Sequence, residues 1–155
     1  MSSHSLLQNV YLFKTLSPTE LDAVTEIAQN QMLGGGDAIF LRGEPARALH
    51  LIKSGTIQIQ QSAKSGDTIP VATLSAGSHF GEMAFVDGEN RSATATSTES
   101  SELVVIPYEK LHTLLTKNTG IAVKFYRELA HFLAGRLRAT TSDLAYVKEK
   151  NLSHF

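Results

Sequence analysis

The segment FGEMAFVDGENRSATATS, residues 80–97, places a carboxylate, an arginine and a hydroxyl around a glycine turn. Glu82 follows a glycine, Arg91 comes nine positions later, and Ser92 is the next residue. An arginine binds anions through charge-assisted hydrogen bonds, and a carboxylate accepts from hydroxyl groups. These types and this spacing fit a surface ion pair. They also fit the two ends of a pocket for a ligand with an anion beside a hydroxyl, as in a ribose phosphate.

The same segment contains the means to build such a pocket. FGEMAF follows a glycine turn and can open a short helix, whose first N–H groups have no partner within the helix. A helix N-terminus beside an arginine is an anion site. Ala93 is small enough to let a ligand approach the backbone. Without an anion, we expect Glu82 and Arg91 to neutralise each other in part, because an unpaired desolvated guanidinium is very costly.

The enzyme classes that share small β-folds are not supported by the residues present. None of the six histidines forms the H-x-H pair of a cupin-type metal site, and His79 with Glu82 in HFGE supplies only half of one. No Ser/His/Asp set and no glycine-rich triphosphate loop is visible. We therefore expect no enzyme activity and no bound metal.

The amino-acid composition limits the classes of partner that the chain is expected to bind. The chain has 155 residues, which predicts one domain over 1–155, and its hydrophobic fraction of 42% is ordinary for a globular protein. A net charge of −1 gives no field that would attract nucleic acid or an anionic membrane. The absence of cysteine excludes disulfides and thiolate sites. No signal peptide or membrane span is evident, so a cytoplasmic location is expected.

The chain divides into three parts by the period of its apolar residues. Residues of about 3–30 predict helices, with SPTE at 17–20 as a capping box and the helix ending near Asn30. About 33–107 alternates short apolar runs with turns, which predicts an antiparallel β-roll with a hairpin at Ser54 and Gly55. About 107–150 predicts helices interrupted by KNTG. The predicted class is α+β: a jelly-roll-like double-stranded β-helix flanked by N-terminal helices and a long C-terminal helix.

The long helix carries a heptad pattern. Eight residues follow the spacing 3-4-3-4-3-4-3: Val123, Tyr126, Ala130, Leu133, Leu137, Thr140, Leu144 and Val147. We call this set the seam. It favours a self-associating helix, because a helix packed on its own globule usually shows a wider apolar stripe. The alternative is a helix that packs on its own β-roll. Thr140 would weaken either interface, so it serves a ligand or sets the register of a dimer.

Motifs along nearly the whole chain identify a family. The stretch FGEMAF…NRSAT resembles the phosphate-binding cassette of the cyclic-nucleotide-binding domain family, whose pattern is F-G-E, apolar residues, a turn, then R-x-A-T or R-x-A-S. LFKTLSPTELDAV resembles its N-terminal helices, and GDAIFLRGEPARALHLIKSGTIQI resembles its first strands. The long helix resembles its C-helix. Phe85 replaces the family's common leucine, and DGEN lacks a proline before Arg91, but neither change removes a bonding group.

The resemblance implies roles for particular residues. Arg91 would pair with the cyclic phosphate, which would also bind the backbone N–H groups of Ser92 and Ala93 and the Ser92 hydroxyl. Glu82 would accept from the ribose 2′-OH, with the Gly81 amide nearby. The implied cassette residues are Phe80, Gly81, Glu82, Met83, Ala84, Arg91, Ser92 and Ala93.

Two further residues are implied by bacterial cAMP-receptor regulators, in which a threonine–serine pair on the C-helix touches the adenine. RLRATTSDL places Thr140 and Thr141 in the similar position. The expected ligand is cAMP, with cGMP also open because Ser92 suits either nucleotide.

The function implied is a stand-alone sensor that signals through its C-terminal helix, as a homodimer or with an unknown protein partner. Regulators of this family append a DNA-binding domain after the long helix, and nothing here supplies one, so we expect no nucleic-acid partner. The alternative is a fragment of a longer chain. A further alternative is a domain of the same fold without a ligand, or with another ligand, that acts as a protein–protein scaffold.

Overall fold

The computed structural model describes residues 3–152. Its helices are α1 (Ser3–Asn9), a short 3-10 helix (Tyr11–Phe13), α2 (Pro18–Ile27), α3 (Glu82–Asp87), α4 (Tyr108–Lys117) and α5 (Thr119–Leu152). Its strands are β1 (Gln29–Leu33), β2 (Ala38–Phe40), β3 (Ala48–Ser54), β4 (Thr56–Ser62), β5 (Thr68–Ser75), β6 (His79–Phe80), β7 (Thr94–Ser97) and β8 (Ser101–Pro107).

The strands form two antiparallel sheets of four strands each. The orders are β1-β8-β3-β6 in the first sheet and β2-β7-β4-β5 in the second. Apolar side chains from both sheets meet between them: Leu33, Ile52, Ile57, Phe80, Ala95 and Leu103. Helices precede and follow this roll, so the predicted α+β, jelly-roll-like class is confirmed.

The predicted hairpin at Ser54 and Gly55 is wrong. β3 pairs with β6 and β8 in the first sheet, whereas β4 pairs with β5 and β7 in the second. The chain therefore turns a corner between sheets at this point. Gly55 has a φ of 96°, and a Cβ there would lie 2.0 Å from the Ser101 Oγ. A glycine is required because the strands of the two sheets approach closely at the corner.

The predicted boundary between helix and roll is also wrong. α2 has the expected capping box at Ser17 and Glu20, but it ends at Ile27, and β1 begins at Gln29. Gln29 and Asn30 are paired with Val105 and Val104 of β8. β1 is an edge strand whose side chains before the buried Leu33 are exposed or half-buried, so its sequence lacks the apolar alternation that marks a strand.

The helices cover the outer face of the first sheet. Leu49 and Leu51 of β3 face the helices, and His50 and Ile52 alternate with them. β3 is thus buried on both faces, which explains its continuous apolar run. Phe13 of the 3-10 helix and Phe125 of α5 stack with ring centroids 5.5 Å apart, and this contact joins the two ends of the chain.

Helix α5 packs on its own domain mainly through residues outside the seam. Ile121, Phe125 and Leu129 are buried against the N-terminal helices and the first sheet, and Leu133 of the seam packs beside them. Leu137 and Leu144 of the seam are more than half exposed. The alternative of self-packing therefore holds for the first part of α5, up to Leu133. No helix within residues 3–152 has the length and apolarity that a membrane span needs.

The corner at Gly55 yields a stability prediction with a matched control. Gly55→Ala places a Cβ at positive φ and against Ser101, whereas Gly66→Ala has a φ of 89° and no atom within 4 Å of its Cβ. We expect each variant to lose about 1 kcal/mol from its backbone conformation. Gly55→Ala should lose about 1–3 kcal/mol more from overpacking. Urea unfolding measures both, and equal losses would contradict the close approach of the two sheets.

Candidate functional site

A cavity of about 390 Å³ opens beside the cassette, within the size range of ligand pockets. All eight cassette residues predicted from the sequence line it: Phe80, Gly81, Glu82, Met83, Ala84, Arg91, Ser92 and Ala93. The expected short helix is present as α3, and its first residues face the cavity. β2, β4, β5, β6, the segment 87–90 and α5 supply the rest of the lining.

Gly81 brings the backbone against Arg91. It lies between β6 and α3 with a φ of 89°. A Cβ at this position would lie 2.7 Å from Arg91 Nη1 and 3.1 Å from the Ala48 carbonyl oxygen. Any other residue would therefore push the guanidinium out of its place as well as strain the turn.

Arg91 is buried and is held by neutral groups. Its Nη2 donates to the Ala48 carbonyl at 2.8 Å, and its Nη1 donates to the Tyr108 hydroxyl at 3.1 Å. The guanidinium lies 4.0 Å from the centre of the Phe40 ring. Burial lowers the pKa of Arg91, but an arginine remains a cation at neutral pH. Its Nε is buried without a hydrogen-bond partner among the described residues, and Arg91 lines the cavity, so this cation retains an unused donor.

Tyr108 links Arg91 to the cassette and to the first residue of α4. Its hydroxyl accepts from Arg91 and donates to the Gly81 carbonyl. Burial raises the pKa of Tyr108, so the phenol stays protonated and keeps this donor at neutral pH. The sequence analysis missed Tyr108, because no local pattern connects it to a residue 17 positions earlier.

Glu82 is buried, but it is not the partner of Arg91. Its Oε1 lies 2.9 Å from His79 Nδ1 and 3.8 Å from Arg136 Nη1. Glu82 and Arg91 therefore form no direct ion pair among the described residues, and a neutralisation through water stays a prediction. Glu82 acts on Arg91 only as a weak, longer-range charge, because the Nη groups of Arg91 face Ala48 and Tyr108.

Helix α5 reaches the cavity through residues that the sequence analysis did not name. Phe132 and Arg136 line it, and the Arg136 side chain is 54% exposed at its edge. Thr140 and Thr141 do not line it, and the Thr141 hydroxyl donates to the Leu137 carbonyl instead. Phe132 and Arg136 are one helical turn apart, and Thr140 is one turn further on. This helical spacing from Thr140 was the only feature of the sequence that could have pointed to Phe132 and Arg136.

His50 packs behind Phe80, one of the residues that line the cavity. Its ring stacks on Phe80 with centroids 4.9 Å apart and planes 8° apart. Burial, and secondarily the charge of Arg91, lower the pKa of His50 to about 3. The imidazole is therefore neutral at pH 7, which avoids a second buried cation beside Arg91.

Comparison with known proteins adds independent information. The sequence profile described as "Cyclic nucleotide-binding domain" matches residues 31–118, which is more than half of the chain. The chain belongs to the cyclic nucleotide-binding domain family. The matched region contains the cassette and all eight strands except the first two residues of β1.

Individual members of the family extend this result. The chain is 32% identical over 133 residues to the cyclic AMP receptor protein of Thermus thermophilus, covering 86% of this chain and 60% of that protein. It is 34% identical over 116 residues to cyclic GMP-binding protein C of Dictyostelium discoideum, covering 75% of this chain and 4% of that protein. This chain thus spans less than two thirds of the length of either relative.

A solved structure agrees with the sequence comparison. The crystal structure of the Thermus thermophilus catabolite activator protein superimposes with a TM-score of 0.80 at 30% identity. The match covers 89% of this chain and 63% of that one. The arrangement of sheets and C-terminal helix is therefore that of the family.

The lowered pKa of His50 predicts a pH dependence of stability. Below pH 6.5 the unfolded chain protonates His50, whereas the folded domain keeps it neutral down to about pH 3. The free energy of unfolding should therefore decrease as pH falls through this window, by up to about 1.4 kcal/mol per pH unit from this group. Above pH 6.5 His50 should have no effect.

Denaturant unfolding between pH 7 and pH 4 measures the slope. His50→Phe keeps a stacked ring and should reduce the slope. His131→Phe alters an exposed histidine of α5 and should leave the slope as in the unmodified protein. If the free energy of unfolding has the same pH dependence in His50→Phe as in the unmodified protein, His50 is not the group responsible for it.

Proposed function

We propose that this chain binds a cyclic nucleotide and acts as a regulatory, non-enzymatic sensor. One observation carries the proposal. A buried arginine at the edge of a ligand-sized cavity has two neutral acceptors, no close carboxylate, and a buried Nε without a partner. An anionic ligand stabilises such a buried cation, because the ligand compensates the positive charge and accepts a hydrogen bond from the unused donor.

The cavity offers a place for each part of such a ligand. The cyclic phosphate would bind Arg91 together with the backbone N–H groups of Ser92 and Ala93. The ribose hydroxyl would donate to Glu82, whose Oε1 lies near the His79 ring and the Arg136 guanidinium. Apolar residues at the other end would surround the base: Ile59, Ala72, Leu74 and Phe132.

The energies are sufficient for binding at cellular concentrations. Hydrogen bonds to charged groups contribute roughly 1.5–3 kcal/mol each. Three or four of them, less the cost of immobilising the ligand, give about −8 kcal/mol, which corresponds to a micromolar Kd. cAMP is the first candidate, since the Thermus relative is named for it, and cGMP is the second, since the Dictyostelium relative is named for it.

We further propose that α5 carries the signal as part of a homodimer. The exposed side chains of the seam support this idea, because Val123, Leu137, Leu144 and Val147 are each at least half exposed in the single chain. A second copy would bury them as a two-stranded coiled coil. A ligand beside Phe132 and Arg136 contacts α5 directly and can shift it, which would bring Thr140 and Thr141 toward the base.

Calorimetric titration with cAMP and cGMP tests the binding proposal. We expect micromolar binding of at least one nucleotide. Arg91→Ala should weaken it by a hundredfold or more, since about 2.7 kcal/mol is lost with the charge-assisted bonds. Arg138→Ala removes an exposed arginine of α5 that does not line the cavity, and it should bind normally.

Circular dichroism shows whether each variant is folded. The absence of binding by the folded, unmodified protein would reject the sensor and favour the scaffold alternative. Equal affinities for Arg91→Ala and Arg138→Ala would reject the assigned role of Arg91.

Sedimentation equilibrium tests the dimer. Leu144→Glu places a charge in the seam and should shift the chain toward the monomer. Ser142→Glu places the same charge on the opposite face of the heptad and should leave the dimer intact. A monomer at about 100 μM in the unmodified protein, far above the usual Kd of a stable interface, would contradict the proposal.

A further inference from the structure

A second cavity, of about 300 Å³, lies next to the first. Leu74, His79 and Phe132 line both cavities, so these three side chains stand between them. The remaining lining comes from the N-terminal helices and the turn before β6: Asn9, Tyr11, Lys14, Gly77 and Ser78. None of these five belongs to the cassette, so the second cavity is not part of the site described above.

His79 is the unusual residue of this shared wall. It is 5% exposed, and its Nε2 is buried without a hydrogen-bond partner. Its Nδ1 lies 2.9 Å from Glu82 Oε1, although the two are not aligned for a hydrogen bond. A hydroxyl group can either donate or accept a hydrogen bond, so a hydroxyl group beside Nε2 would satisfy it in either role.

The other groups define the rest of a ligand. The Phe132 ring lies 4.3 Å from the His79 ring and 5.7 Å from the Tyr11 ring, which gives an aromatic wall suited to a flat molecule. Lys14 lies 3.7 Å from the Tyr11 ring centre and 3.5 Å from the buried Glu128. The Lys14 side chain is 43% exposed, so its ammonium can also contact an anion at the cavity edge. The volume of about 300 Å³ is large enough for a single aromatic ring with substituents.

We propose that the second cavity binds a small aromatic anion that carries a hydroxyl group, and that its occupancy alters binding in the first cavity through His79 and Glu82. The hydroxyl binds His79 Nε2, the ring packs on Tyr11 and Phe132, and the anion meets Lys14. The second half of this statement rests on the proposed function, because Glu82 is the residue assigned to the ribose.

Binding of 4-hydroxybenzoate to the nucleotide-free chain of residues 1–155 tests the site itself. Titration followed by NMR should give saturable binding with a Kd below about 1 mM, with shifts at Tyr11, Ser78 and His79. Benzoate lacks the hydroxyl and phenol lacks the carboxylate, and each should bind at least tenfold more weakly. Lys14→Gln and Ser78→Leu, which remove the cation and fill the cavity from two different elements, should each lose at least tenfold.

Two results would overturn the site. One is the absence of saturation up to about 10 mM, the range of non-specific contact. The other is unchanged binding in both Lys14→Gln and Ser78→Leu, provided that thermal unfolding shows at least one of them to be folded. Equal binding of benzoate would remove the role given to His79 Nε2.

Nucleotide titration in the presence of saturating 4-hydroxybenzoate tests the coupling. We expect the Kd for cAMP to change at least fivefold, and the Kd for 4-hydroxybenzoate to change by the same factor when cAMP is saturating. Lys14→Gln should bind cAMP normally and lose the coupling. An unchanged Kd for cAMP with the second cavity occupied would refute the coupling. If cAMP and cGMP do not bind at all, the proposed function fails, while the preceding titration still decides the second site.

Discussion

The structure depends on a buried cation that has no buried anion beside it. Arg91 is held by the Ala48 carbonyl and the Tyr108 hydroxyl, and its charge is only distantly compensated by Glu44 and Glu82. Gly81 must lack a Cβ for the guanidinium to fit, and His50 stays neutral below it. The surrounding neutral groups thus orient the guanidinium but do not compensate its positive charge, which an anionic ligand would do.

The contacts of Arg91 also connect the cavity to the helices. Tyr108 binds both Arg91 and the cassette backbone, and it is the first residue of α4. Phe85 of α3 packs on Tyr108 at 5.3 Å, on His112 at 4.3 Å and on Phe125 of α5 at 5.7 Å. A ligand that moves Arg91 or α3 must therefore alter the packing of α4 and α5, which is the physical basis of the proposed signal.

Local sequence could predict the elements and the cassette, but not the contacts between distant segments. The capping box at Ser17, the short helix at Glu82 and the lining of the cavity by the cassette could all be predicted. Each of them depends on residues that are adjacent in the sequence. The corner at Gly55 resembles a hairpin turn until the second sheet is placed against it. The direct partners of Arg91 come from β3 and α4, far away in the sequence, so local sequence could not show that Arg91 is held by neutral groups rather than by Glu82.

The Nε–H group of Arg91 is the most direct probe of this account. Its ¹H–¹⁵N resonance can be assigned by its loss in Arg91→Lys. On addition of cAMP, the resonance should move downfield and its hydrogen exchange should slow, because the phosphate becomes the partner that Nε lacks. If cAMP saturates the protein and this resonance keeps its position and its exchange rate, the unpaired donor of Arg91 is not the anion site.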